Sequence, residues 1–583
     1  PPLANGGSVA SFLPVGPNVV YLASQDDEDQ IELFSVPADG SATAEQVNAP
    51  LANGHVERYL ASAASGRVVY EASEVAPGRV DFNSRLVDAS LPSVQLGPPL
   101  EPGPIVGDVE AIVLTPDGRH ALYVATQENH LSAELYSVDL ARGLARAKLS
   151  HPMATPGNVR VLLPAPDSQR VVYTGRANLD GDEGLYVVPV DGSEPALRLD
   201  LSGNGLFHPV LLSGDGERAL YRAPRNDGAM LLYSVPLDGS TSAVGLSGST
   251  SVADDFVSAG ARVVYRRGGA PVGRELLYSA PLDGGAPALV LFDASASLGG
   301  VQRFRVSADE AMVAFVADGV VDGRFELYSV PVDGSAPASV LSGAIVGQGD
   351  VTELALAPVS PFVVYRADAL RDEVHELFVA PLDGSAPPTA LVPPLPDLAD
   401  AGTPVVTESE RVLYLADALT DGLSELFSVP LAGGTPTRLS SEGNVTSVWP
   451  VEGARVVYRV GDDLWLVAEA GGAALRLSQP LTAGQHMHEV QIVGGRAFFV
   501  AANELRTVAL TAPFVRGSLT PAMVPGGHIE DFAAVPGGPL VYFADQAVDE
   551  RFEAWLAWPT ARSGAAAAGA PTGSATRTVD PGP

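Results

Sequence analysis

Residues Phe315–Ser335, FVADGVVDGRFELYSVPVDGS, describe a strand, a polar turn and a second strand that stops at Asp-Gly-Ser. The phrase returns as YLADALTDGLSELFSVPLAGG at Tyr414–Gly434, YRADALRDEVHELFVAPLDGS at Tyr365–Ser385 and YTGRANLDGDEGLYVVPVDGS at Tyr173–Ser193. One hairpin of this size cannot bury its own apolar side chains, so its copies must stack against one another.

Working outward, the first strand of the hairpin ends on an aromatic at Tyr21, Tyr70, Tyr123, Tyr173, Tyr221, Tyr265, Phe315, Tyr365, Tyr414, Tyr458, Phe499 and Tyr542, twelve units with a stride of 41 to 53 residues. In eight of them a second aromatic follows 13 residues later, at Phe34, Tyr136, Tyr186, Tyr278, Tyr328, Phe378, Phe427 and Trp555. Unit two has Asn83 in that place, unit five is one residue shorter and ends at Tyr233, and the units of Tyr458 and Phe499 are trimmed. Each stride holds four candidate strands; around Tyr173 they are Val159–Pro164, Arg170–Tyr173, Gly184–Val190 and Ala196–Leu201. Val, Leu and Tyr fill these runs and Gly, Pro, Asp and Ser fill the gaps, which is the composition of strands and turns. Capped amphipathic helices are absent from the pattern. Four short antiparallel strands per repeat predict an all-β propeller of about twelve four-stranded blades.

Two turns recur. Thr115-Pro116-Asp117-Gly118-Arg119, Ser213-Gly214-Asp215-Gly216-Glu217 and Ser307-Ala308-Asp309-Glu310 sit between first and second strands, and Asp-Gly-Ser or a close variant follows the third strand at 39–41, 191–193, 238–240, 333–335 and 383–385. Asp accepts hydrogen bonds from a tight turn and Gly takes its positive φ. The turn TPDGRHALYVA at 115–125, with the ELYSV and DGS hairpins, resembles the TolB-type propeller repeat, also found in the propeller part of prolyl-oligopeptidase-like enzymes. The resemblance spans roughly residues 7 to 560 and implies blades, with protein partners in the bacterial periplasm. No G-x-S-x-G elbow or alternating strand–helix segment accompanies it, so the resemblance does not extend to a catalytic domain.

The expected propeller body is residues 1–560, with 561–583 a low-complexity tail whose Thr576–Asp580 is a candidate for a final outer strand. Composition does not change through Gly284–Arg303, which favours one large ring over two tandem rings of six blades meeting near 285–303. No run reaches the roughly 18 uncharged apolar residues needed to span a bilayer, and a soluble protein without a transmembrane segment is expected. Opening at Pro1 without Met or a signal-like segment, the chain is read as a trimmed, exported product, periplasmic or at the cell surface. The net charge of −34 repels polyanions, which argues against nucleic acid and favours cations or a basic protein partner. With no cysteine, disulfides, thiol catalysis and Cys-based zinc sites are excluded. Lys148 is the single lysine among the basic residues.

The most suggestive candidate site is acidic. Counted from the hairpin aromatic, carboxylates recur at +3, +7 and +11: Asp318, Asp322 and Glu326; Asp368, Asp372 and Glu376; Asp417, Asp421 and Glu425; Asp545, Asp549 and Glu553. Unit one has Asp26, Asp27, Glu28 and Asp29 in this turn, and unit four has Asp180, Asp182 and Glu183. Carboxylates with nearby carbonyls suit Ca²⁺, although the ligand order of an EF-hand is missing, and acids that cap turns and keep a rim solvated are the plainer reading. On a propeller this loop shares a face with the blade-to-blade connections, so an interrupted negative ring is expected there. His486-Met487-His488 places two imidazoles on one strand face with Glu489 expected on the other, more a polar strand than a metal site. Trp465 and Trp555 fall on the packing aromatic of the third strand, whereas Trp449 and Trp558 lie near strand ends, where a ring can stack on a sugar or peptide.

The function expected is therefore a non-catalytic binding scaffold that uses an acidic face. Two other classes are weighed beside it: a lyase or glycosidase built on paired carboxylates, and a structural subunit of a surface layer or appendage. A pocket with two close carboxylates of shifted pKa marks the enzyme, and calcium-dependent assembly marks the surface subunit.

Overall fold

The computed structural model describes residues 9–25, 30–38, 41–51, 55–72, 74, 81–97, 109–126, 131–143, 146–153, 157–176, 183–200, 207–225, 227–248, 251–268, 275–293, 300–321, 323–396, 399–419, 422–441, 443–482, 484–520, 523–534, 540–548, 551–557 and 575–577. Among them the regular structure is β-strand, with no helix, and no helix is long and apolar enough to cross a membrane.

Ten four-stranded sheets and one of eight strands follow one another along the described chain. In each four-stranded sheet the strands pair antiparallel in chain order, as in Val351–Leu356, Phe362–Ala367, Glu376–Pro381 and Thr389–Ala390. These meanders are the blades of a β-propeller. Each is named here by its hairpin aromatic, so this one is the Tyr365 sheet. In the eight-stranded sheet the Tyr123 and Tyr173 meanders are joined by a short parallel pairing of Ser132 and Ala133 with Gly157 and Asn158.

The hairpin spacing has a direct structural meaning. Residues 13 apart stand opposite one another across the second and third strands: Tyr21 and Phe34, Phe315 and Tyr328, Tyr365 and Phe378. Their rings stack, with centroids 5.5, 5.3 and 5.2 Å apart. Such a pair adds about 0.5–1.5 kcal/mol beyond the area it buries. Asn83 stands opposite Tyr70 in the same register. In the trimmed units the pairing closes after seven residues, Tyr458 opposite Trp465 and Phe499 opposite Arg506. Residues directly opposite in an antiparallel pair share a face, so a shorter loop leaves each side chain on its own side.

The middle strands bury both faces. In the Tyr365 sheet Val363, Tyr365, Phe378 and Ala380 pack with Ala314, Val316 and Leu327 of the Phe315 sheet. The alternate residues Val364, Leu377 and Val379 pack with Val412, Tyr414 and Phe427 of the Tyr414 sheet. Strands covered on two sides read as continuous apolar runs, which is why VVY and its variants mark every unit.

The chain divides into two compact units, residues 1–203 with 481–583, and residues 204–480. The first holds the sheets of Tyr21, Tyr70, Tyr123, Tyr173, Phe499 and Tyr542; the second holds those of Tyr221, Tyr265, Phe315, Tyr365, Tyr414 and Tyr458. Gly284–Arg303 lies inside the second unit. Within the first, Val19 and Ala38 pack with Val541, so the first and last sheets of the chain are neighbours. The strand Ala575–Arg577 pairs with Arg551–Ala557, and both lie against Val9–Val15.

Candidate functional site

The +3 acids lie where the hairpin loop leaves the second strand, and each accepts a backbone amide. Asp318, Asp368 and Asp545 are buried. Asp318 accepts the Gly323 amide at 3.2 Å, and Asp368 accepts the amides of Asp350 and of Glu373, the latter at 3.2 Å. Half-buried Asp417 accepts the Asp400 amide at 2.7 Å, and Asp545 accepts the His528 amide with the His528 ring 3.6 Å away. At +7, Asp372 is exposed; Asp322, Asp421 and Asp549 lie outside the described residues, as do Asp26, Asp27, Glu28, Asp29, Asp180 and Asp182.

These bonds belong to a device that recurs from sheet to sheet, and its key residue was not singled out in the sequence. Asp350 precedes the first strand of the Tyr365 sheet and accepts the Phe325 amide of the preceding sheet at 2.6 Å, while the Val351 amide donates to the Phe325 carbonyl at 2.8 Å. The same two-bond clasp joins His375 to Asp400 and Ala401, at 2.8 and 2.9 Å, and Ser424 to Asn444 and Val445, at 2.9 and 2.7 Å. His55 serves Ile31 through its Nδ1 at 3.1 Å. The signal is a polar side chain 14 or 15 residues ahead of Tyr70, Tyr365, Tyr414 and Tyr458. Burial pushes the Asp350 carboxyl up, and the neighbouring Asp368 and Asp318 add to it.

The +11 glutamates are equally internal. Glu326, Glu376 and Glu425 are buried, facing Arg324 at 3.1 Å, Arg371 at 3.3 Å and Arg438 at 2.7 Å. Glu134 is paired with Lys148, the single lysine of the chain. Among the described residues, no group of three or more His, Asp or Glu side chains is arranged to hold a metal ion.

A second set of solvent-facing acids lies at the other end of each sheet. In a meander the turns after the first and third strands share one end, opposite the hairpin loop. Asp191, Asp238, Asp283, Asp333 and Asp383 are exposed there, as are Asp167, Asp215 and Asp309. Ser213 Oγ donates to Asp215 at 2.5 Å and Ser307 Oγ to Asp309 at 2.6 Å. The Ser193, Ser335 and Ser385 amides each donate at 2.9 Å to the Asp two residues before them. The serine hydroxyls and then the amides hold Asp191, Asp215, Asp309, Asp333 and Asp383 below the usual carboxylate range. Within each unit the turn ends meet: the Asp117 amide donates to Ser168 Oγ at 3.0 Å in the first, and Arg262 Nε to the Val332 carbonyl at 3.2 Å in the second. The turn chemistry read from the sequence as purely local therefore builds an ionised surface in each unit.

His486 and His488 are both exposed, on either side of buried Met487. Glu489 does not point away from them into the sheet: a bulge between His488 and Val490 interrupts the alternation and leaves it exposed too, where its Oε1 accepts from Gln491 at 2.9 Å. Trp465 and Trp555 stand opposite Tyr458 and Tyr542, Trp449 is half-buried on a first strand, and Trp558 lies outside the described residues.

No protein family matches the sequence, and no curated protein does. Solved structures do resemble the chain, at low similarity. The tricorn protease is 11% identical with a TM-score of 0.29, the match covering 88% of this chain and 62% of that one. An oligogalacturonate lyase in complex with manganese is 13% identical with a TM-score of 0.28, over 54% of this chain and 87% of that one. The β-propeller domain of the trilobed protease from Pyrococcus furiosus is 13% identical with a TM-score of 0.25, over 66% of this chain and 98% of that one. The chain thus spans about three-fifths of the tricorn protease.

Proposed function

We propose that this chain is an exported, non-catalytic binding scaffold that docks a basic protein partner on its turn face. The observation that carries the reading is the row of exposed aspartates at the turns, of which Asp191, Asp215, Asp309, Asp333 and Asp383 are held below the usual carboxylate range by hydrogen bonds that the turns themselves supply. Fixed charges on rigid turns attract a cationic surface without an ordering cost, and a net charge of −34 adds a long-range field. The resemblance of the repeat to TolB-type propellers supports the same class of work in the periplasm or at the cell surface.

Two variants test it by titration calorimetry with octa-arginine at low salt. Asp238→Asn, Asp283→Asn, Asp333→Asn and Asp383→Asn together should weaken binding about tenfold or more. Asp322→Asn, Asp372→Asn, Asp417→Asn and Asp421→Asn, which remove equal charge from the hairpin loops, should leave it within about twofold of the wild type. Equal losses in both variants would reduce the effect to net charge and overturn the assignment of a face. Calcium chloride titrated into the loop variant and the wild type tests the cation reading of those loops: identical traces remove it.

A further inference from the structure

The Tyr173 sheet is one of several that depart from the commonest form of the hairpin. At +3, where the Phe315, Tyr365, Tyr414 and Tyr542 sheets have aspartate, the Tyr173 sheet has Arg176. At +11, where a buried glutamate usually stands, it has Gly184, with the acid displaced one residue to Glu183. Its first strand, Gly157–Pro164, is the one joined in parallel to the preceding meander, and a bulge between Val159 and Leu162 contains Arg160.

These departures meet at a cavity of about 200 Å³ lined by Gly157, Asn158, Arg160, Arg176 and Glu183. Arg176 and Glu183 stand opposite one another on the second and third strands. Thr174 Oγ1 donates to Glu183 Oε1 at 2.5 Å and fixes the carboxylate. Arg160 Nη1 is 3.9 Å from Glu183 Oε2, beyond hydrogen-bond length, and its side chain is 66% exposed. Among the described lining residues, two guanidinium groups share the cavity with one carboxylate. Arginine elsewhere in the sheets is spent on structure: Arg266 reaches the Val301 and Gln302 carbonyls of the next sheet at 2.9 Å each, and Arg438 holds Glu425.

We propose that this cavity binds a small hydroxylated carboxylate. The planar guanidinium groups of Arg160 and Arg176 match a carboxylate with charge-assisted hydrogen bonds. Glu183 and Asn158, on the same wall, supply acceptors and a donor for the hydroxyl groups of the ligand. The volume admits a molecule of sugar size, since it equals roughly half a dozen waters. The cavity is distinct from the turn face and its residues differ from those varied above, so either reading can fail alone.

Titration calorimetry of the full chain with gluconate, and with sorbitol as the neutral molecule of the same carbon skeleton, tests the proposal. Gluconate should bind with a dissociation constant below about 1 mM and sorbitol at least tenfold more weakly. Arg176→Gln and Arg160→Gln should each reduce gluconate affinity about tenfold or more, while Arg142→Gln, at an exposed arginine of another turn, should leave it unchanged. Matching circular dichroism and melting curves establish that the variants are folded. No gluconate binding by the wild type, equal binding of sorbitol, or undiminished binding by both cavity variants would overturn it.

Discussion

At the scale of single residues, aspartate does two different jobs in this chain, and position along the strand decides which. At +3 its carboxylate is buried under backbone amides, whereas at the turns it keeps one side to solvent while accepting from serine. Asp191, Asp215, Asp309, Asp333 and Asp383 have pKa values below their unfolded ones, so by linkage they stabilise the fold fully above the ordinary carboxylate pKa of about 3.9 and lose that contribution as pH falls through the folded value. The melting temperature should therefore decline as the pH is lowered below about 4. Ser335→Ala removes the hydroxyl that contributes most to lowering Asp333 and leaves the amide in place. A carbon-detected NMR titration should then show Asp333 shifted upward toward the ordinary value; an unchanged midpoint would mean the hydroxyl is not the cause. Gly334 at φ +66° was legible as a turn glycine, but Glu310 at +58° was not, because only the closed turn forces a side chain into that region.

At the scale of elements, one diagonal rule governs the third and fourth strands. The fourth-strand residue opposite the aromatic reaches the acid two places before that aromatic. Arg438 stands opposite Phe427 and meets Glu425, Lys148 opposite Tyr136 meets Glu134, and Arg476 opposite Trp465 meets Asp463. In the Phe315 and Tyr365 sheets the fourth strand lacks a cation there, and the hairpin loop sends Arg324 or Arg371 instead. Arg438→Ala should cost about 3 kcal/mol by denaturant unfolding, because it strands a buried carboxylate. Adding Glu425→Gln should recover most of that loss, and a double variant no better than the single one would refute the pairing. Glu326, Glu376 and Glu425 are among the acids that the sequence pattern alone assigns to an exposed ring. The pleat places them inside: the +11 residue opens a third strand covered on both faces, and only the neighbouring sheet supplies that second cover.

At the scale of the whole molecule, stability within a unit is shared between neighbours, as the Tyr365 sheet lends one face to the sheet before and one to the sheet after. Stacks of this kind are weakest at an uncovered end. In the first unit the first and last sheets cover one another through Val19, Ala38 and Val541, with Ala575–Arg577 pairing on the outer side of Arg551–Ala557. Ending the chain at residue 574 should therefore lower the melting temperature and speed proteolytic cleavage within the first unit. Cleavage kinetics identical to those of the full chain would show that the outer strand contributes nothing.

The repeat spelled by YSVPVDGS and its copies determined, unaided, that the chain is built of four-stranded meanders and where each hairpin turns, because period-two alternation and turn residues are local properties. Which acids meet solvent, which residue clasps one sheet to the next, and that Arg160, Arg176 and Glu183 share one cavity were decided only by the tertiary structure. Those relations depend on the packing of whole sheets, which sets burial and partners for residues far apart along the chain, and no spacing within a single repeat encodes it.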